Sequence, residues 1–373
     1  MSRMPDERPE GGYDWLYGKG KGEDDTPTSV QATEPRDDLP PPNLPPPGSS
    51  RGRGGAGGVK KTLRVIGVLL LAWIVYLVAV PLWAYSTITT VDADPGGDRP
   101  GDQPGTTYLL VGSDSRKGLT KEEQKRLATG GDSGGRGRTD TILLLHTGDG
   151  PSTLVSLPRD SLVPVKGYGT TKINAAYAFG GPQLLVNTIE DATGVRIDHY
   201  VEIGFGGLVK VVDSLDGVEI CPKQDIKDKD SGLDVKKGCQ TADGATALAY
   251  SRARHAYATQ DIQRVQSQRE VLGGVARKAK SPWTFIDPIR YYKVNDGAAS
   301  SLQIGEGTGR IALARFALAL SAAMSGDGKS CTVPLADFAV HWDRERALKF
   351  FGYIKNDQTD KIGNLCTKDG LPK

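Results

Sequence analysis

Six short stretches of this sequence carry the residue types that hold phosphates and divalent metal ions. They are GSDSR (Asp114, Arg116), RGRTDT (Arg138, Asp140), LPRD (Arg159, Asp160), TKINAAY (Lys172, Asn174), YSRAR (Arg252, Arg254) and DIQRVQSQ (Asp261, Arg264, Gln268). Singly, each has an ordinary explanation. An arginine beside an aspartate is commonly a solvated surface pair of little energetic weight, PRD serves as a turn, and Lys172 alone reads as solvent-facing. Together, six or seven cations and two carboxylates match a pyrophosphate bound with a divalent metal. Arginine's planar fork engages two phosphate oxygens at once, and charge-assisted bonds of this kind are about twice as strong as neutral ones. Asp114 and Asp140 supply hard oxygen ligands of the kind Mg²⁺ takes in ones or twos, its shell being completed by substrate phosphates and water.

These side chains need elements to position them. TTYLLVG, TDTILLLHT and STLVSLP are apolar runs of strand length, and the first three motifs fall where such runs meet loops, the region in which open α/β sheets place ligand crevices. Arg138 and Asp140 alternate about Thr139 at the start of the second run, so both point toward one side. GPQLLVNTIEDATGV predicts a helix ended by Gly194, and HYVEIGFGGLVKVVDSLDGVEI predicts strand, helix and strand. TADGATALAYSRARH predicts a helix capped by Thr241 or Asp243. In the longer helix that follows, Asp261, Arg264 and Gln268 share one face while Val265, Leu272 and Val275 turn to the core. GRIALARFALALSAAM and DRERALKFFGYIKND predict two further helices. The alternation favours an α/β sandwich with a largely central sheet.

Composition divides the 373 residues into unlike parts. Residues 1–61, rich in Pro, Gly, Asp and Arg, bury too little to offset the entropy of ordering and are expected to form a disordered cytoplasmic tail. Residues 62–88 contain VIGVLLLAWIVYLVAVPLWAY, long enough to cross about 30 Å of hydrocarbon as one transmembrane helix. Arg51, Arg53, Lys60, Lys61 and Arg64 precede it and Asp92, Asp94 and Asp98 follow it, which orients the tail inward and the bulk outward. The apolar run starts too far into the chain for a cleaved signal peptide, so it reads as an uncleaved signal anchor in the cell membrane. A linker, 89–104, then leads to an extracellular domain, 105–373. All four cysteines lie in that domain, where disulfides persist. Of the three connectivities, local pairing of Cys221 with Cys239 and Cys331 with Cys366 is preferred, and without a C-x-x-C pair no zinc cluster is expected. A net charge of +2 argues against a general nucleic-acid binder.

The ordered motifs behind a single span resemble those of the LytR-CpsA-Psr family of bacterial cell-wall glycopolymer transferases, over roughly residues 105 to 280. The resemblance implies a three-layer α-β-α domain with a central mixed sheet. It implies a phosphotransferase that moves a glycopolymer from a polyprenyl-pyrophosphate carrier to a peptidoglycan acceptor through a phosphodiester link. On that pattern Asp114 and Asp140 correspond to metal ligands for Mg²⁺ or Mn²⁺, and with Arg159 they are the catalytic candidates. Arg116, Arg138, Arg159, Lys172, Arg252, Arg254, Arg264 and Gln268 correspond to pyrophosphate-binding positions, with Asp261 and Asn174 in support. An apolar tunnel for the prenyl tail is implied between sheet and helices. Two departures stand out. KGLTKEEQKRLATGGDSGG lengthens the loop between Arg116 and Arg138, as a mobile lid would, and Ser267 stands where many members carry arginine, so that one cationic contact is lost or displaced to Arg269. Two rival functions share these residues: a pyrophosphatase acting on lipid-linked precursors, and a non-enzymatic envelope regulator that binds polyprenyl phosphates.

Overall fold

The computed structural model describes residues 56–114, 120–127, 137, 139–228, 231–253 and 260–372. Of the side chains, those of 56–59, 126 and 260–263 are outside the description, as are residues 1–55 of the expected tail, whose last residues, 56–61, already belong to a helix. The chain divides into two units, Met1–Lys60 and Lys61–Lys373, and the second contains the fold.

An apolar helix, α1 (Ala56–Thr87), leads into an edge strand, β1 (Thr89–Val91). The strands β2 (Thr106–Ser113), β3 (Thr139–Thr147) and β4 (Thr153–Ser156) follow, with a short helix α2 (Lys121–Arg126) between the first two. A hairpin of β5 (Leu162–Val165) and β6 (Gly169–Lys172) runs into α3 (Ile173–Thr193), and β7 (His199–Gly204) into α4 (Phe205–Ser214). Four short strands, β8 (Val218–Ile220), β9 (Ile226–Asp228), β10 (Leu233–Val235) and β11 (Gln240–Ala242), precede α5 (Gly244–Arg252) and α6 (Gln260–Ala279). Then come α7 (Pro282–Ile286), α8 (Pro288–Ala299), β12 (Leu302–Gly305), α9 (Arg310–Ser325), β13 (Lys329–Thr332) and α10 (Arg344–Lys355).

The central sheet runs β1-β12-β7-β2-β3-β4-β13 and is mixed: β2 lies parallel to β7 and antiparallel to β3. Its strands are apolar on both faces because helices cover both. Leu109, Val111, Ile142 and Leu144 pack with Leu185, Val186 and Ile189 of α3 and Phe350 and Phe351 of α10. Their neighbours Tyr108, Leu110, Leu143 and Leu145 pack with Phe316, Ala319 and Ala323 of α9. This period-two division of one strand pair between two cores is what makes a three-layer α-β-α sandwich. A third cluster joins α4, α5 and α6 to β8–β11 through Val212, Val218, Ala247, Tyr250 and Val271.

Helix ends follow local chemistry. Asp243, and not Thr241, caps α5, its side chain accepting from the Thr246 amide, and Gly194 ends α3 at φ 66°. That helix begins earlier than the sequence pattern suggests and is broken at Gly181 (φ 67°), just before Pro182. The stretch expected as a linker is tied down: β1 pairs in parallel with β12, and Arg99 donates to Glu190 at 2.7 and 3.0 Å. Glu190 is buried, so this charge-assisted fork holds residues preceding β2 against α3. Cys221–Cys239 and Cys331–Cys366 are the two disulfides.

Candidate active site

The ends of β2, β3 and β7 meet at one edge of the sheet. Ser113 pairs with Thr139 on one side and Gly204 on the other, so Asp114 leaves β2 where β3 begins. The β2–β3 register slips between Gly112 and Ser113: Gly112 pairs with Thr141 and Ser113 with Thr139, which leaves Asp140 as the extra residue of a bulge. A bulge re-aims the side chain it displaces. Thr139 is fully buried, while Asp140 and Asp114 are partly exposed beside an apolar wall. Gly112 is required there, because a Cβ would stand 2.9 Å from the Thr141 Cβ.

From Asp140 a chain of alternating charges runs across the site. The Arg159 guanidinium donates to the Asp140 carboxylate through Nη1 and lies 3.4 Å from Asp160 through Nε; Lys172 reaches Asp160 at 2.7 Å. The hairpin β5–β6 explains how Lys172 arrives. Leu162 pairs with Lys172, so the chain leaves Asp160, turns through Gly167 and Gly169 at positive φ, and returns one strand spacing away. Helix α3 starts immediately, and its first two amides donate to the carbonyls of Ser161 (2.8 Å) and Arg159 (3.2 Å). Asn174, nine-tenths buried, sits in that first turn. Arg159 is thus a braced group, whereas Lys172, its side chain 58% exposed, remains adaptable.

On the other face of the sheet, α4, α5 and α6 enclose an apolar cavity of about 60 Å³ with Asp140, Arg252 and Gln268 at its polar edge and Leu110, Phe205 and Leu248 among its walls. Arg252, the last residue of α5, stacks its guanidinium 4.9 Å above the Phe205 ring and donates to the Leu127 carbonyl at 3.1 Å. Gln268 makes long bonds to the carbonyls of Asp140 (3.5 Å) and Ser251 (3.4 Å). Arg264, a turn earlier on α6, is 2% exposed. The cavity is smaller than the tunnel implied by the family pattern.

Beneath Asp114 lies a cluster that the sequence pattern did not single out. Tyr177 and Tyr200 both donate to the buried Glu202 carboxylate, at 2.8 and 2.7 Å. Burial, then the Glu202 charge, pushes both phenols well above their ordinary pKa, and Asp114 adds to the effect at Tyr177. The two tyrosines therefore stay protonated and act as fixed donors. Tyr177 stood at the end of the KINAAY motif, and that proximity was the available signal. The loop insertion holds α2, whose Thr120 cap and Glu123 form a reciprocal capping box. Leu127 beyond it is buried against Phe205, Val209 and Leu248. The described part of the insertion, residues 120–127, thus packs behind two of the cavity's wall residues, Phe205 and Leu248.

Arg159, Lys172, Asn174, Asp114 and Asp140 share the sheet edge, and Arg252, Arg264 and Gln268 lie on the helices beside it. Arg116, Arg138 and Arg254 lie outside the described residues, as does the Asp261 side chain. Arg269 does not replace the missing cation at the site. It turns away to donate to Ser156 Oγ, Thr332 Oγ1 (both 2.8 Å) and the Lys368 carbonyl, and burial lowers its pKa to about 10. One residue along α6 is a 100° rotation, which carries Arg269 off the Gln268 face. Among the described residues no three His, Cys, Asp or Glu side chains cluster as a metal cage.

A mixed three-layer sandwich with acid and base residues at one sheet edge, beside an apolar cavity, defines the class. The LytR_cpsA_psr family model matches residues 89–337, and the chain belongs to that family. It is 45% identical over 301 residues to the probable cell wall biosynthesis protein LcpB of Corynebacterium glutamicum, covering 79% of this chain and 71% of that protein. It is 33% identical over 196 residues to the polyisoprenyl-teichoic acid–peptidoglycan teichoic acid transferase TagT of Bacillus subtilis, covering 50% of this chain and 55% of that one. In fold it is similar to the LytR-Csp2A-Psr enzyme from Actinomyces oris, with a TM-score of 0.56 and 21% identity over 72% of this chain and 96% of that one.

Proposed function

We propose that this chain transfers a cell-wall glycopolymer from a polyprenyl-pyrophosphate carrier to peptidoglycan, forming a phosphodiester on the outer side of the membrane. The observation that carries it is the Asp140–Arg159 pair at the edge of an apolar cavity, where a phosphate and a hydrocarbon tail are recognised side by side. The name of the TagT relative supports the donor and acceptor classes. Two disulfides support an oxidising location for the domain. Helix α1 is, among the described residues, the one long and apolar enough to cross a bilayer, as a single-pass anchor requires.

Phosphoryl transfer depends mainly on alignment and charge stabilisation. Arg159, fixed between Asp140 and Asp160, holds phosphate oxygens bidentately, and Lys172 adds a mobile second charge. Arg252 and Gln268 lie where the tail meets its phosphates. The carboxylates of Asp114 and Asp140 fit Mg²⁺ or Mn²⁺, since two oxygen donors on adjoining strand ends suit an ion that takes its remaining ligands from the substrate. When bound, such an ion supplies positive charge to the phosphate oxygens. A carboxylate near the ion, such as Asp114, would accept the acceptor hydroxyl's proton.

The test is product analysis with the full chain in vesicles, given a polyprenyl-pyrophosphate glycan with and without peptidoglycan fragments. Glycan joined to the fragments through phosphate, dependent on Asp140, is expected. Release of glycan phosphate to water alone, whether or not the acceptor is present, would identify a pyrophosphatase. No turnover, with cellular function surviving Asp140→Ala and Arg159→Ala, would identify a regulator.

A further inference from the structure

Helix α1 is not exposed uniformly. Residues 60–72 are exposed all round, but from Trp73 onward one stripe is covered: Trp73, Tyr76, Leu77, Val80, Ala84 and Tyr85. That spacing is one helical face, and the domain sits on it. Tyr76 donates to the Pro288 carbonyl, Tyr291 donates to the Leu77 carbonyl, both at 2.7 Å, and Trp83 stacks on Tyr292 with centroids 5.2 Å apart. Helices α7 and α8 are therefore level with residues 76–83 of the anchor.

The lengths do not allow the bilayer to end below them. Arg64, one turn beyond Lys60 and Lys61, marks the inner edge, since charged groups are costly in hydrocarbon. From there to residue 72 the bare helix rises about 12 Å at 1.5 Å per residue, against a hydrocarbon core of about 30 Å. Tilt increases the shortfall. The missing height must come from residues 73–84, the stretch that α7 and α8 flank. The outward face of this pair is apolar: Trp283 is 68% exposed, Ile286 61% and Ile289 66%, with Phe285 and Tyr292 also exposed. An apolar cleft of about 500 Å³ continues the surface between α1, α8 and α9, lined by Leu77, Pro81, Ala298 and Leu313 among others.

We infer that α7 and α8 form a membrane-embedded foot, with Trp283, Ile286 and Ile289 immersed in the outer leaflet at the boundary of headgroups and acyl chains. Interfacial helices sink about 5–10 Å in this way. Two charged groups near the junction of the pair are partnered within the domain: Asp287 caps α8 by accepting from the amides of Ile289 and Arg290, and Arg290 pairs with Asp216. The foot fixes the domain's height and tilt, so that the cavity edge keeps one distance from the bilayer. This rests on α1 being the anchor proposed above.

Spin labels on single introduced cysteines in the full chain, reconstituted in phosphatidylglycerol and phosphatidylethanolamine vesicles, test it. The native cysteines are bonded to one another and leave the label to the new thiol. Labels at Leu70→Cys in α1, Ile289→Cys in α8 and Leu348→Cys in α10 are compared for collision with oxygen, which concentrates in lipid, and with a water-soluble nickel chelate. The Ile289 label is expected to match the Leu70 label in favouring oxygen, while the Leu348 label favours nickel. An Ile289 label that favours nickel while the Leu70 label favours oxygen overturns the foot and leaves the anchor standing. Nickel access at Leu70 as well overturns both.

Discussion

The two sides of the candidate site are held differently. On the sheet side, Asp140, Arg159, Asp160 and Lys172 form a continuous charged chain supported by strand pairing, a hairpin and the first turn of α3. On the helix side, Gln268 makes two bonds at the long limit, Arg252 rests on an aromatic face, and apolar contacts do the remaining work. A chain of ion pairs braced by strand and helix backbone resists displacement, whereas apolar packing with few directional bonds yields to a ligand at small cost. On the proposed function the difference divides the labour: the sheet side would hold the phosphates, and the helix side would part further to admit a tail into the apolar cavity.

The comparison is sharpest at Arg159. Arg159→Lys keeps the charge but removes the fork, so transfer is expected to fall by about 10²–10³-fold, the range for losing one preorganised donor at developing charge. Steady-state kinetics should show the loss in kcat, with an unchanged melting temperature. A loss confined to KM would put Arg159 outside the reacting centre. Arg269 offers the contrast on α6. Arg269→Met strips donors from Ser156, Thr332 and the Lys368 carbonyl, and leaving such acceptors unpaired is expected to cost about 2–3 kcal/mol in urea titrations. Turnover per folded molecule should be unaltered; a selective loss of turnover would return Arg269 to the site.

On the yielding side, Val271→Phe fills the cavity from α6. Turnover with a long prenyl donor is expected to fall about tenfold, equivalent to 1.4 kcal/mol, while a donor analogue with a short tail is unaffected. Equal loss with both donors would show that the helices do not part for the tail.

Much of this arrangement was legible in the sequence for a physical reason: strand ends and caps announce themselves through local residue types. Gly194, Asp243 and the apolar runs around Leu109 and Leu143 each specify their element with no long-range partner. What escaped depends on distant contacts. Nothing near Thr89 shows that β1 will pair with β12, more than two hundred residues on. Glu202 reads as an ordinary strand residue until Tyr177, on another element, meets it. Arg269 stands next to Gln268 in the sequence, but helical phase turns it away, and its partners lie on β4 and β13. The bulge at Asp140 is likewise a property of the strand pair, visible in neither strand alone.

The smallest expected effect lies at the end of the sheet away from the charged edge. His146 Nδ1 bonds Thr107 Oγ1 at 2.9 Å and Nε2 meets the Asp357 carboxylate at 3.1 Å, with the ring buried. Burial lowers its pKa more than Asp357 raises it, so the folded state prefers the neutral ring. A depressed histidine contributes stability that is complete above its ordinary pKa of about 6.5 and is lost as pH falls below it, because the unfolded chain binds the proton first. His146→Gln keeps a polar group able to reach one partner and is expected to cost about 1 kcal/mol at pH 7. It should also flatten the decline in stability between neutral and mildly acidic pH, as followed by melting temperature against pH in both proteins. A decline that is steeper in the variant than in the parent would mean that the ring keeps its proton when folded, with the Asp357 charge outweighing burial. The sheet side would then have a charged pair at each end, and its stiffness would be electrostatic throughout.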